Sequence, residues 1–561
     1  MGQGLLGLFM INILNKSSTE SVLDKKLTTY IILALIVLIG IFLRFWQLGS
    51  IPSGSTNDEV AYIYNAYSIA ITSKDIAGNF LPISFNLFNS FSPVAVYIMS
   101  PFVGILGLSL FTARLPFALI GIAEIFLIFL IAKKITNNYY IALSAAFVLS
   151  VSPWHLQFSR VSYDGILALF FYLLGIYVFL KKKDRGNINW SLPAFLLGFY
   201  SYHGTKIFML LFIPALLLIF RNQIMGRKKE VFIFITGIIL IILSFFYVVY
   251  SQNVNRQNVL LVKNISTISS VVNTERAYNS AQPVLRNILS NKVLTFLRIM
   301  RENYLEAFSP QFLFLYGETG DNEEIFGIGH RGVMYIIELP LLLFGIVYIL
   351  RIKKLRNFLI LGLLIAPIPS VITVDKSYGM RSIMMLPFLS IIAGCGIYEI
   401  CIKFREMKKT YSVVFISAFV LLYAFLILEY LYQYHYRYGI YGAEAWLRSS
   451  RDVSEYIAQE KDKYKQVYIA NEGGLLMQYA LFNREDPYSV QAAYKSKILK
   501  NIYFIGNCID TSNKPFDPKI YLPPSTLYAI PDCYKEVAVE PIKSIIQVGE
   551  PLHTVWKIYK N

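Results

Sequence analysis

Charge is scarce in this chain of 561 residues: Asp, Glu, Lys and Arg make up 16%, against about 25% in an average soluble domain. A soluble chain of this length would divide into several domains with charged surfaces, and there is too little charge to cover them. Cysteine is scarce, with four residues, which excludes a disulfide-dense secreted scaffold. The usual nucleotide and metal signatures are missing. The sequence contains no GxxxxGK[ST] loop, no GxGxxG opening a βαβ unit, no HExxH and no CxxC pair. Neither an ATP-driven engine nor a strong metal-ligand spacing is therefore visible. Nor is there an internal repeat of the kind expected for a secondary transporter. What is present is apolar: 55% of residues are hydrophobic, with 41 Phe and 40 Tyr, and the mean hydropathy is +0.51. That excludes a disordered chain and leaves a polytopic membrane protein.

The net charge of +17 could suggest nucleic acid. The excess sits instead in short clusters between apolar runs, where membrane proteins keep their cytoplasmic Lys and Arg, so no nucleic-acid partner is expected. A span needs about 20 mostly apolar residues. Runs at 28–46, 113–132, 139–152, 165–180, 190–203, 206–220, 231–250, 333–350, 358–374, 380–400 and 411–430 predict about 11 transmembrane helices. Basic clusters follow every even-numbered run, as in Lys181–Lys182–Lys183 and Lys353–Lys354. The positive-inside rule then puts the N-terminal segment 1–27 in the cytoplasm and the tail outside. The first run lacks a cleavage site and is read as an uncleaved span. The apolar segment 93–110 would reverse every later loop if it crossed, so it is expected to lie in or dip into the outer interface. The expected organisation is a transmembrane domain over 28–430, with external loops 47–112 and 251–332, and a small external α/β domain over 431–561. Strand-like runs QVYIA (466–470) and NIYFIG (501–506), with a helical stretch between them, mark that last domain.

The candidate chemistry collects on the outer side. Asp58 and Glu59 follow the first span in the run SGSTNDEVAYIYNAY, at the expected start of a helix whose N-terminus would hold carboxylates ionised. Such a pair is a candidate general base or metal ligand, although a solvated cap is the commoner role of an acid at a helix start. Arg160 and Asp164 stand four apart and would share a face if helical. His203 and Lys206 occupy a tight turn between two spans, where an interfacial His and a snorkelling Lys are the usual occupants. Asp375, Lys376 and Arg381 fall in VDKSYGMRS. Arg381 and Arg114 each sit at the mouth of an apolar run, where an arginine needs an anion or an acid. Basic residues at headgroup depth suit a phosphate, and carboxylates beside them suit activation of a hydroxyl. Glu124 lies within the second span; a structural hydrogen bond is its commoner role, and it is left outside the site.

These motifs, in this order, resemble the membrane glycosyltransferases of the GT-C fold, and within them the protein O-mannosyltransferase-like and lipid A aminoarabinose transferase-like group. The resemblance covers roughly 28–430. It rests on Asp58–Glu59 in the first external loop, Ser92–Pro93 and Tyr97 in the interfacial segment, RLPFALIG at 114–121, and SPWHLQFSR at 152–160 with Asp164 beyond it. YLEAFSPQFLFLYGETG (304–320), the run Gly329–His330–Arg331–Gly332, and the stretch from Arg381 to Pro387 add to it. The aminoarabinose transferases have a basic residue three positions after the first acid, whereas Ala61 stands here. The resemblance implies sugar transfer from a polyprenyl-phosphate-sugar donor to a glycan, lipid or protein acceptor on the outer face, with inversion, by a multi-pass plasma-membrane enzyme of the hexosyl- or pentosyltransferase class.

The expected roles are Asp58 as base, with Glu59 and Asp164 as further catalytic acids. Arg114, Arg160, Lys206 and Arg381 are expected at the donor phosphate, and His203 and His330 elsewhere in the cleft. No cofactor is called for, and a divalent metal stays open. The rivals are a lipid-linked glycan flippase or transporter and a non-catalytic cell-envelope assembly protein. Cys508 and Cys533, the only cysteines of the tail, are expected to form a disulfide, since the tail is placed outside.

Overall fold

The computed structural model describes residues 22–86, 90–224, 226–251, 265–320, 323–373, 378–470, 474–511, 514–549 and 553–561. The chain divides into two compact units. One comprises the chain up to Phe45, Ala118–Ser159 and Asp164–Tyr430; the other comprises Trp46–Phe117, Arg160–Tyr163 and Leu431–Asn561. The loop 47–112 and the tail thus fall in one compact unit.

Seven helices among the described residues are long and apolar enough to cross a membrane: Lys26–Phe45, Leu110–Thr136, Asp164–Lys182, Lys228–Val248, Lys353–Val371, Met385–Arg405 and Lys409–Tyr441. The pair Tyr139–Val151 and Pro153–Ser159, bent by 60°, raises the number to eight if it is one span. Fewer helices therefore meet the crossing length than the eleven expected. The difference lies in Leu192–Ser201, Lys206–Ile219 and Glu338–Leu350, of 10, 14 and 13 residues. At about 1.5 Å per residue these fall short of an apolar layer of about 30 Å. The bend after Val151 has a local cause. Pro153 disfavours the helical conformation in the residue before it, and Ser152 takes ψ 124°.

In the helical unit, Glu338–Leu350 and Leu386–Arg405 meet backbone to backbone. A Cβ on Gly345 would stand 2.0 Å from the Ile392 carbonyl oxygen, and one on Gly396 would stand 1.9 Å from that of Leu341. Small residues allow this approach where lipid supplies no hydrophobic drive between helices. Arg44, His155 and Glu124, all fully buried, tie three helices together. Arg44 Nη1 donates to the carbonyls of Gly40 and Ser150 at 3.0 Å, and Nη2 lies 2.6 Å from His155 Nδ1. A guanidinium has only donors, so Nδ1 accepts and Nε2 carries the proton. Nε2 donates to Glu124 Oε2 at 2.6 Å.

In the other unit the tail forms a six-stranded mixed sheet. Its strands are β1 (Gln466–Ala470), β2 (Ile498–Leu499), β3 (Ile502–Ile505), β4 (Thr526–Pro531), β5 (Lys543–Ile546) and β6 (Thr554–Lys560). Their order is β2-β3-β1-β4-β6-β5. The central strand β1 runs parallel to β3 and β4, and the other neighbours are antiparallel. Helices Gly474–Phe482 and Pro487–Ser496 lie between β1 and β2, which makes the α/β pattern. On one sheet face Phe516 stacks on Tyr534, with ring centroids 4.5 Å apart, and packs against Tyr528 and Tyr559. Cys508 and Cys533 are joined as a disulfide, with Cα atoms 6.1 Å apart.

Candidate active site

The helix carrying the acidic pair, Asn57–Thr72, begins as its sequence dictates. Thr56 takes an extended conformation as N-cap, and its Oγ1 accepts from the Glu59 N–H at 3.2 Å. This satisfies one of the orphan donors of the first turn. Asp58 and Glu59 both lie in that turn, yet their surroundings differ. Glu59 is fully buried. Its two oxygens accept from Arg114 Nε and Nη2, both at 2.9 Å, and Oε1 also accepts from the Ser162 N–H at 3.0 Å. Asp58 is half-buried at the same helix end.

Arg114, expected at the donor phosphate, has an extensive set of partners within the protein. It is fully buried. Besides Glu59 it reaches the carbonyls of Leu48 and Pro52 through Nη1, at 3.4 and 2.9 Å, and that of Gly54 through Nη2 at 2.9 Å. A guanidinium has five N–H donors, and all five have a partner within the protein. In this arrangement Arg114 braces the loop and Glu59 is its counter-ion. Tyr163 completes the surroundings. Its hydroxyl lies 2.7 Å from Thr56 Oγ1. Burial pushes the Tyr163 phenol well up, and the Asp58 charge adds to this, so it stays protonated.

Arg160 is also buried, with Nε donating to the Tyr434 hydroxyl at 3.2 Å and Nη2 to the Trp46 carbonyl at 2.7 Å. The chain is not helical from Arg160 to Tyr163, so the condition for the four-residue spacing to put Arg160 and Asp164 on one helix face is not met. Asp164 opens the helix Asp164–Lys182 and is buried. His203 and Lys206 come together on Phe245: the His203 ring lies 6.0 Å from it, and the Lys206 ammonium 4.8 Å from its centroid. Arg381 is half-buried, and its Nη1 donates to Thr373 Oγ1 at 2.5 Å. Asp375 and Lys376 lie outside the described residues. His330 is exposed in a left-handed conformation, φ 52°. Among the described residues no group of three or more His, Cys, Asp or Glu could hold a metal ion.

Several polar anchors were missed from sequence. Glu318 is buried and accepts from the N–H groups of Tyr378 and Gly379, at 3.1 and 2.5 Å, while Trp154 Nε1 donates to the Gly379 carbonyl at 2.6 Å. Arg44 could have been found, because a cation inside an apolar run needs a partner as much as Glu124 does. Arg451 and Gln478 carried no signal: one sits in an amphipathic helix and the other in a short buried apolar helix of the tail, roughly 400 residues from the loop they contact.

Comparison with known proteins supports the fold of the GT-C membrane glycosyltransferases. A family model described as dolichyl-phosphate-mannose-protein mannosyltransferase matches residues 90–270. Two proteins of Bacillus subtilis (strain 168), YkcB and YycA, both provisionally named mannosyltransferases, are each 27% identical to this chain, over 201 and 139 residues, or 35% and 24% of it. The matched stretches span 27% and 20% of those relatives' own lengths. The crystal structure of ArnT from Cupriavidus metallidurans in the apo state matches with a TM-score of 0.50 at 13% identity, covering 94% of this chain and 97% of that one. The chain is a multi-pass membrane protein with the GT-C fold.

Proposed function

We propose that this chain transfers a sugar from a polyprenyl-phosphate-linked donor to a hydroxyl acceptor on the outer face of the plasma membrane, with Asp58 as general base. The single observation that carries the reading is the contrast within the acidic pair. Glu59 is closed into an ion pair with Arg114, while Asp58 stands half-exposed at the start of the same helix. The donor class is supported by the description of the matching family model, which names a dolichyl-phosphate-linked sugar. In the step itself the acceptor oxygen attacks the anomeric carbon, and the bond from that carbon to the carrier phosphate oxygen breaks. The polyprenyl phosphate leaves with the bonding pair, and the acceptor proton passes to Asp58. One displacement inverts the anomeric centre. Arg381, Lys206 and Arg160 are the proposed cations for the donor phosphate, and Asp164, His203 and His330 are proposed to shape the cleft. The N-terminus is proposed to be cytoplasmic and the tail external.

The test uses the full chain in lipid nanodiscs, a panel of polyprenyl-phosphate-linked hexoses and pentoses as donors, and glycans and lipids extracted from the cell envelope as acceptors. Asp58→Asn is expected to leave folding intact and lower turnover about 10²–10⁴-fold, the usual worth of a general base. Near-normal transfer by that variant removes Asp58 from the role, and no transfer by the wild type with any donor refutes the activity.

A further inference from the structure

The segment just ahead of the acidic helix has no regular structure, so its carbonyls need partners from elsewhere. Four successive ones each find a side chain. Pro52 O accepts from Arg114 Nη1 at 2.9 Å, Ser53 O from Arg451 Nη1 at 3.1 Å, Gly54 O from Arg114 Nη2 at 2.9 Å, and Ser55 O from Gln478 Nε2 at 2.6 Å. Two of the three donors to this run come from the tail. The backbones also touch: a Cβ on Gly54 would stand 1.9 Å from the Trp446 carbonyl oxygen, so no larger residue fits without moving one chain segment. Further along, the Tyr64 hydroxyl donates to the Glu485 carbonyl at 2.6 Å. Burial raises the Tyr64 phenol above its ordinary value, so it remains a donor.

The tail donors are themselves held. Arg451 Nε donates to Glu455 Oε1 at 2.8 Å, and the guanidinium lies 5.0 Å from the Phe482 ring centroid. Gln478 is buried, on a helix packed against Asn57–Thr72. The helix begins at Asn57, two residues after the last captured carbonyl, and Asp58 follows at once, so the height and direction of its helix end follow from where the tail grips the loop.

We propose that the C-terminal domain is a clamp that sets the position of Asp58, with Gln478 and Arg451 as positioning residues. This rests on Asp58 being the base. A base must come within about 2.6–3.2 Å of the proton it takes, and a misplacement of about 1 Å can cost on the order of 10²-fold in rate. A contact that merely glues the loop to the tail would affect stability and leave turnover per folded molecule unchanged.

The experiment measures transfer by the full chain in nanodiscs, normalised to folded protein, for Gln478→Glu, Gln478→Met, Arg451→Met and Arg451→Lys. Gln478→Glu keeps the size but turns an acceptor toward the Ser55 carbonyl. It is expected to lower kcat about 10–100-fold with donor KM unchanged. Gln478→Met, which only deletes the donor, should show a smaller fall and serves if the Glu variant does not fold. Arg451→Lys should recover most of what Arg451→Met loses. In an Asp58→Asn background the Gln478 substitutions should add no further loss, since there is no base left to misplace. Wild-type kcat in folded Gln478→Met and Arg451→Met, or losses that multiply with that of Asp58→Asn, would overturn the clamp. If Asp58→Asn alone retains wild-type turnover, it is the base assignment that fails, and the Gln478 and Arg451 variants still report whether the tail contacts matter for rate.

Discussion

Arg114→Met separates two roles that the sequence could not tell apart, a phosphate ligand and an internal brace. Methionine fills similar length but donates nothing. The substitution leaves Glu59 buried with only the Ser162 N–H, and it strips a donor from three carbonyls, those of Leu48, Pro52 and Gly54. Removing one partner of a buried ion pair costs about 3–5 kcal/mol, and each buried acceptor left without a partner adds about 1–3 kcal/mol. The expected loss is therefore at least the upper end of the first range, a large fraction of a typical folding stability of about 5–15 kcal/mol. Thermal unfolding of the purified chain in detergent, followed in parallel by protease cleavage of the tail, reads this loss. Glu59→Gln, which keeps an acceptor oxygen for the guanidinium, should lose less. Donor KM measured below the unfolding transition is the second readout. An Arg114→Met protein that unfolds at the wild-type temperature and shows only a raised donor KM would refute the brace and restore Arg114 to the phosphate.

Two further perturbations probe supports within each unit. Cys508→Ser opens a loop with a sequence separation of 25 and should lower the stability of the tail by about 3 kcal/mol on the chain-entropy account, seen as earlier protease cleavage of the tail on heating; identical cleavage curves would show that the bridge carries no stability. Glu124→Ala leaves the buried His155 Nε2–H without its acceptor and should cost about 1–3 kcal/mol; Glu124→Gln should cost less, and an unchanged unfolding temperature for Glu124→Ala would show that the Arg44–His155–Glu124 chain does not hold its three helices.

Periodicity and length made the long helices legible, and strand-forming runs bounded by turns did the same for QVYIA and NIYFIG, which fall on β1 and β3. Hydropathy does not measure where a helix stops. The short helices Lys206–Ile219 and Glu338–Leu350 are as apolar as the spans, and only their ends, set by a turn before Lys206 and by the chain before Glu338, keep them below the crossing length. The grouping of the first loop with the tail was not legible at all. It is made by side-chain donors reaching single carbonyls, as Gln478 does to Ser55, and a carbonyl leaves no mark in a sequence.

The acidic pair shows where sequence reasoning ends and geometry takes over. Adjacent residues on a helix point about 100° apart, as 3.6 residues per turn requires, so two neighbouring acids can meet different surroundings. Sequence shows the pair and its helix start, but not which member turns inward. That choice is made by Arg114, whose other donors are tied to the loop carbonyls and whose fork therefore meets only the acid pointing into the core. Glu59 is the residue that does so, and its Oε1 is further occupied by the Ser162 N–H. A general base needs a lone pair that an incoming hydroxyl can reach. Burial and bidentate pairing close Glu59 to an incoming hydroxyl, which is why the proposed base is Asp58, and the contacts that close one carboxylate into the fold also hold the helix that carries the other.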